Sequence, residues 1–273
     1  MATIAAKLFA DWPQQDVLSG TRRAHAIDRW IYVMMAVLFV AIVLAGFIPD
    51  SLTRLKMVKA HQAPPFPKIV HVHAVLMGSF MALLLTQTVL VATDRCSLHK
   101  RFGLTAMLLA PALVVVGFFL PRPTYLGVWQ AAHYGPPPVQ AMLTPVLGAL
   151  ENILLLQMRI GILFSLFLVI GLLARARDAG LHKRMMILAT AATLPAAFAR
   201  IPWLPQTQNS PMSLDLYVLL AVSPMLAWDV VRNRSVHRAY ILWLPIYAAA
   251  SLTVYLMWDR PWWHVTARHI IGV

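Results

Sequence analysis

The sequence predicts an all-α integral membrane protein with about seven transmembrane helices, a duplicated two-helix hairpin forming its four-helix core. Composition is the first sign: 60% of the 273 residues are hydrophobic and only 12% are charged. A soluble domain carries about 25% charged residues, so this chain has too little polar surface to cover a globule in water. The second sign is a series of apolar runs near the length of about 20 residues that a helix needs to cross the hydrocarbon core. The third is a four-residue string that occurs twice. Leu98-His99-Lys100-Arg101 recurs as Leu181-His182-Lys183-Arg184, 83 residues later.

The runs are Trp30–Ile48, Ile69–Ala92, Gly103–Leu120, Ile153–Ala174, Met185–Leu204, Leu214–Val231 and Tyr240–Trp258. The first follows a polar tail of mixed charge, residues 1–29, and is long for a signal-peptide core, so it reads as a retained helix. No linker divides the chain, which reads as a single membrane domain, 1–273. Residues 69–204 form the duplicated core, and 205–273 add two helices and a tail.

Between the third and fourth runs lies Pro121–Asn152, with six prolines. Proline removes a backbone donor and clashes with the preceding turn. This segment is therefore expected to be irregular, a lid or a partly re-entrant cap.

The net charge of +13 reflects few acids rather than many bases. The basic residues sit between apolar runs and not in one patch, which argues for lipid rather than nucleic acid as partner. Fourteen of them, from Lys7 to Arg238, fall on the side of the N-terminus, and seven on the other. The positive-inside rule puts the N-terminus in the cytoplasm and the C-terminus in the periplasm of a bacterial inner membrane. Trp203, Trp258, Trp262 and Trp263 fit an outer aromatic belt, and Trp30 and Trp228 an inner one.

The lone Cys96 excludes a disulfide framework, a CxxC redox pair and a cysteine-rich metal site. No HExxH, Walker loop, GxGxxG turn or clustered HxxxH and HxxHH motif is present.

Two groups of residues are candidates for function. His99 and His182 enter the third and fifth runs from the same face, at matching depth. Paired histidines on facing helices are axial ligands of b-type haem. Lys100, Arg101, Lys183 and Arg184 are then candidates for the propionates. The plainer reading is that all of these are solvated loop residues that set topology. The second group lies toward the opposite face: His73, Gln157, Arg159 and Arg200. Charged residues inside spans are costly and mark either a buried partner or a ligand site. Glu151 is a candidate partner for Arg159, and Asp215 for Arg200. His71 and His73 are about 200° apart on a helix. His73 shares its face with Met77, Phe80, Leu84 and Gln87, which makes it the inward member. His25, His237, His264 and His269 belong to no constellation.

The order His71-Val72-His73-Ala74, Gln87, Leu98-His99-Lys100-Arg101-Phe102-Gly103, then His182-Lys183-Arg184-Met185-Met186, Pro195 and Arg200 resembles a widespread group of bacterial polytopic membrane proteins of unknown function. The resemblance covers about Ile69 to Leu204. It implies a helical membrane protein and transfers no activity. More distantly, the chain is similar to transmembrane b-type cytochromes with a four-helix core, where paired histidines hold haem between facing helices. That resemblance implies haem b on His99 and His182 and electron exchange with quinone. A second ligand pair is missing, because the fourth run offers no histidine opposite His71 or His73. The alternatives are a haem-free membrane enzyme or binding protein for a lipid-soluble substrate, using the second group, and an assembly or scaffold subunit of a membrane complex.

Overall fold

The structure, a computed structural model, describes residues 22–207 and 210–273, with side chains from residue 25 onward. The expected tail up to residue 21, Lys7 included, lies outside these. The described residues form helices and connecting turns, with no strand among them. The helices are α1 (Arg22–Lys59), α2 (Lys68–Ala92), α3 (Cys96–Phe119), α4 (Pro121–Tyr134), α5 (Pro137–Ala174), α6 (Ala179–Ala191), α7 (Pro195–Phe198), α8 (Met212–Asn233), α9 (Arg238–Met257) and α10 (Pro261–Ile271). Six helical stretches are long and apolar enough to cross a membrane: α1, α2, α3 running into α4, α5, α8 and α9. The protein is an all-α, multi-pass membrane protein.

The fifth expected span, Met185–Leu204, is not one helix. It starts earlier, at Ala179, and breaks between α6 and α7. Pro195 has no N–H to give to Ala191, and the chain tightens before it: Thr193 N–H bonds Thr190 O, and Leu194 N–H bonds Ala191 O. Pro111, in the matching part of the other half, sits inside a continuous α3. The broken segment is the most enclosed part of the molecule. Packed by α1, α5, α8 and α9, α6 buries Met185 and Ile187 through Ala191. A helix that is apolar all round is one buried on all sides.

Pro121–Asn152 is helical rather than irregular: it comprises α4 and the first turns of α5. Pro121 opens α4, and Pro137 and Pro138 open α5, in the first turn, where the missing N–H has no intrahelical partner to lose. Only Pro145 falls inside α5. Helix α1 likewise begins at Arg22, inside the expected tail, and runs on through Pro49 to Lys59. At 38 residues, α1 and α5 are each about 57 Å long, well beyond the hydrocarbon thickness. Both project past it at the face opposite the basic turns.

The hairpin of α2 and α3 faces lipid with Val75, Leu104, Leu108, Val115 and Phe118. Its inner side carries His73, Met77, Phe80, Leu84 and Gln87 on α2, against Gly103, Ala106, Ala110, Leu113 and Gly117 on α3. Phe80 meets Phe164 of α5 edge to face, ring centres 5.2 Å apart. His73 is half-buried and His71 is exposed. The C-terminal α10 buries Trp263, Ala267 and Ile271 and exposes Trp262, Val265 and Ile270, the pattern of a helix lying along an interface. Trp263 is thus a packing residue and not part of an exposed belt. Trp203 and Trp262 are the exposed tryptophans at that face.

One contact ties α1 to the break in the fifth span. A Cβ on Gly46 would stand 2.4 Å from the Ala197 carbonyl oxygen of α7. Gly78 on α2 has open space around it. Gly46→Ala should therefore destabilise the protein by about 1–3 kcal/mol. Gly78→Ala should be neutral, or stabilising by up to about 1 kcal/mol. Thermal unfolding of both variants in detergent, side by side, checks this.

Candidate functional site

The charged residues inside the bundle are arranged around α8. Asp215 and Asp229 lie 14 residues apart on that helix, about 21 Å and nearly on one face. Each holds an arginine from a neighbouring helix and a tyrosine from α9. Arg159 of α5 places Nη1 2.9 Å from Asp215 Oδ2 and Nη2 2.8 Å from Oδ1. Its Nη1 also donates to Ser251 Oγ at 2.9 Å. Tyr247 donates to Asp215 Oδ1 at 2.7 Å, and Tyr255 donates to Oδ2. Toward the basic face, Arg184 of α6 donates from Nε to Asp229 Oδ2 at 2.8 Å and from Nη2 to Oδ1 at 2.5 Å. Tyr240 donates to Asp229 Oδ2 at 2.5 Å, and Arg184 Nη1 to the Gly180 carbonyl at 3.0 Å. All four charged side chains are buried. Two-pronged geometry with further donors on the carboxylate is what makes a desolvated ion pair tolerable.

Arg159 therefore forms a structural ion pair, and its partner is Asp215 and not Glu151. Arg200 pairs with Asp50 of α1, Nε 3.4 Å from Oδ2, and not with Asp215; both side chains are substantially exposed. Arg200 also lies over the Phe47 ring, 4.6 Å from its centre. His73 is within electrostatic range of Arg200, and its Cε1 is 3.9 Å from where a Gly117 Cβ would stand. Its Nδ1 is buried without a hydrogen-bond partner. Gln157 is half-buried on α5, two residues and about 200° from Arg159. The four residues of the second group do not converge: Arg159 is committed elsewhere, and His73 and Arg200 stay near one another.

Glu151 has its own constellation, which sequence reasoning missed. Its carboxylate accepts from Tyr125 at 2.6 Å and from His264 Nδ1 at 2.6 Å, and lies 3.3 Å from Arg268 Nε. His264 Nε2 is 3.2 Å from Asp259 Oδ1. Trp263 Nε1 donates to the Glu151 carbonyl at 3.1 Å. Together these pin α10 onto α4 and α5. His264 thus joins a cluster, contrary to expectation. So does His237: buried, it caps α9, its Nδ1 accepting from Ala239 N–H at 3.1 Å. The available signal was a carboxylate near the end of a span. Its partners on α10 sit more than 100 residues away, where no local pattern reaches.

The paired histidines do come together. His99 on α3 and His182 on α6 have ring centres 6.4 Å apart and planes inclined by 77°. His182 Nδ1 donates to the Gly171 carbonyl at 2.8 Å. That carbonyl is one of the last four of α5, which have no intrahelical donor. A carbonyl only accepts, so in neutral His182 the proton sits on Nδ1 and the Nε2 lone pair is left for another partner. Gly171 also lets α6 approach closely, since a Cβ there would be 3.1 Å from Met185 Cβ. His99 Nδ1 is buried without a hydrogen-bond partner, and so are Nε2 and Oε1 of the nearby Gln87 amide. Gln87 Nε2 lies 3.8 Å from the position of a Gly103 Cβ, one turn along α3 from His99. Of the expected propionate partners, Arg184 is not available, being held by Asp229. Lys183 lies 5.1 Å from the Tyr32 ring centre, and Lys100 and Arg101 are exposed.

The fold and these buried pairs define a multi-pass helical membrane protein with a histidine pair near its basic face. Comparison with protein-family models, with curated proteins and with solved structures returned no match.

Removing one member of a buried ion pair strands the other, at a cost of about 3–5 kcal/mol. Arg184→Leu and Asp229→Leu should each destabilise the protein by that order. The double variant should recover part of the loss, and a double-mutant cycle on detergent unfolding measures the difference.

Proposed function

We propose that this protein is an electron-transfer protein of the bacterial inner membrane that holds one b-type haem between His99 and His182 and exchanges electrons with quinone. The observation that supports this reading is the histidine pair. Imidazole nitrogens bind transition metals at about 2 Å, so rings sharing one metal ion stand about 6 Å apart centre to centre. The pair's spacing of 6.4 Å agrees with that. The donor chemistry fits as well. The Gly171 carbonyl orients the His182 ring and fixes its tautomer, as a backbone carbonyl does for a metal-bound histidine. The Gln87 amide, buried with neither Nε2 nor Oε1 hydrogen-bonded, is a polar group that a bound group and its waters would satisfy.

Bound haem would supply a one-electron couple. The residues set its surroundings. Gly103 leaves room beside the Gln87 amide, and Gln87 offers both a donor and an acceptor. Lys100 and Arg101, exposed at the mouth of the site, remain to meet carboxylates. Quinone is the partner because it dissolves in the bilayer that surrounds the exposed apolar face of α2 and α3.

Expression with ample haem should yield a Soret band and about one haem per chain by pyridine haemochrome. His99→Ala and His182→Ala should each abolish it at normal protein levels. A flat visible spectrum of the wild-type protein rejects the reading.

The orientation rests on the positive-inside rule, fourteen bases against seven. Cys96 is exposed at the basic face, in the turn that opens α3. In intact spheroplasts a membrane-impermeant maleimide should leave it unlabelled, and should label it once the membrane is opened. Labelling of intact spheroplasts inverts the topology.

A further inference from the structure

We propose that α10 is a pH-dependent cover, clamped onto α4 and α5 while the His264 imidazole carries a proton on both nitrogens and loosened when it does not. The clamp is built from residues other than the histidine pair at the basic face. Its centre is a ring whose two nitrogens both face carboxylates. His264 Nδ1 stands 2.6 Å from Glu151 Oε2, and Nε2 stands 3.2 Å from Asp259 Oδ1. A carboxylate only accepts, and a neutral imidazole has one N–H to give. Only the imidazolium donates to both. In the neutral ring one nitrogen turns a lone pair toward a carboxylate oxygen, and that contact becomes repulsive.

The charged and titratable groups around the ring come from three sides. From α5 comes Glu151, and Gly148 leaves room for the ring: a Cβ there would lie 3.7 Å from His264 Cε1. From α4 come Tyr125, whose hydroxyl donates to Glu151 Oε1 at 2.6 Å, and Arg122, whose Nε donates to the Ile271 carbonyl at the far end of α10 at 2.9 Å. The turn before α10 supplies Asp259 and Arg260, and Arg260 Nε points back to the Leu256 carbonyl. From α10 itself Arg268 reaches Glu151 Oε1 at 3.3 Å. His269 is exposed and lies about 140° round the helix from His264. The Glu151 side chain is buried and that of Asp259 is 70% exposed. The ring thus joins an enclosed acid to one in contact with water, the side from which a proton comes and goes.

Helix α10 is also built to move as a unit. Asp259 holds a left-handed φ of 57° and Pro261 opens α10, so a turn and not continuous helix joins it to α9. Its exposed Trp262, Val265 and Ile270 give a freed helix the membrane surface to lie on. The buried Trp263, Ala267 and Ile271 do not titrate, so losing the proton weakens the clamp without abolishing it. Histidine is the side chain that changes charge near neutrality. The clamp is complete on the acid side of that change and weakens as pH rises through it.

Amide hydrogen exchange of the full chain in detergent, corrected for intrinsic rates, reads the protection of residues 261–271 from about pH 6 to about pH 9. Helix α8 is the internal reference. Protection of α10 relative to α8 should fall by about tenfold over that range, since a charge-assisted hydrogen bond is roughly twice as strong as a neutral one. His264→Gln, neutral at every pH, should give low protection with no pH dependence. In Asp259→Asn the new amide donates to Nε2 while Nδ1–H serves Glu151, so a neutral ring is satisfied on both sides. Asparagine also tolerates the left-handed backbone of that position. This variant should keep α10 protected across the whole range. No fall in the wild-type chain, or a fall that persists in either variant, overturns the proposal.

Discussion

The bundle depends on two carboxylates of one helix. Asp215 and Asp229 stand four turns apart on α8, and each draws an arginine out of a different helix into the interior. A lone charge in hydrocarbon is expensive, and so is a lone arginine. Each group is tolerable only where the other is, so the pairs fix where α5 and α6 sit against α8. The tyrosines of α9 extend the constraint. Tyr240, Tyr247 and Tyr255 lie along that helix and all point to these carboxylates. Four helices are thereby held in register by directional bonds. Apolar packing alone could not do this, because lipid competes equally well for apolar side chains.

Against that framework the α2–α3 hairpin is differently held. It exposes long apolar side chains to lipid and contacts the rest through α1, α4 and α5. No buried ion pair among the described residues ties it in. The histidine pair straddles this boundary: His99 belongs to the hairpin and His182 to the framework. A group bound by both would bridge the two parts of the molecule.

The repeated string shows how little four letters say about environment. Leu98 is exposed and Leu181 is 2% exposed; Arg101 is exposed and Arg184 is buried. The first copy opens a helix that lipid and water can reach. The second opens a helix enclosed by four others, and Asp229 is there to receive its arginine. The two histidines are the members whose surroundings are alike. Both are half-buried, and they face each other.

By itself the sequence determined the class of protein and which residues were costly to place. Low charge and long apolar runs leave no solvent but lipid for most of the chain, and this is a property of composition that folding cannot change. The inward face of α2 was also legible, since a helix's faces follow from 3.6 residues per turn. Proline was misread at Pro121–Asn152 because its effect depends on position within a helix, harmless in the first turn and disruptive later. The partners of Arg159, Arg184, Glu151 and His264 were decided by the tertiary structure alone. Arg159 and Asp215, Arg184 and Asp229, and Glu151 and His264 are 56, 45 and 113 residues apart in sequence, and a buried charge is paired by whichever group the packing of distant helices brings within 3 Å.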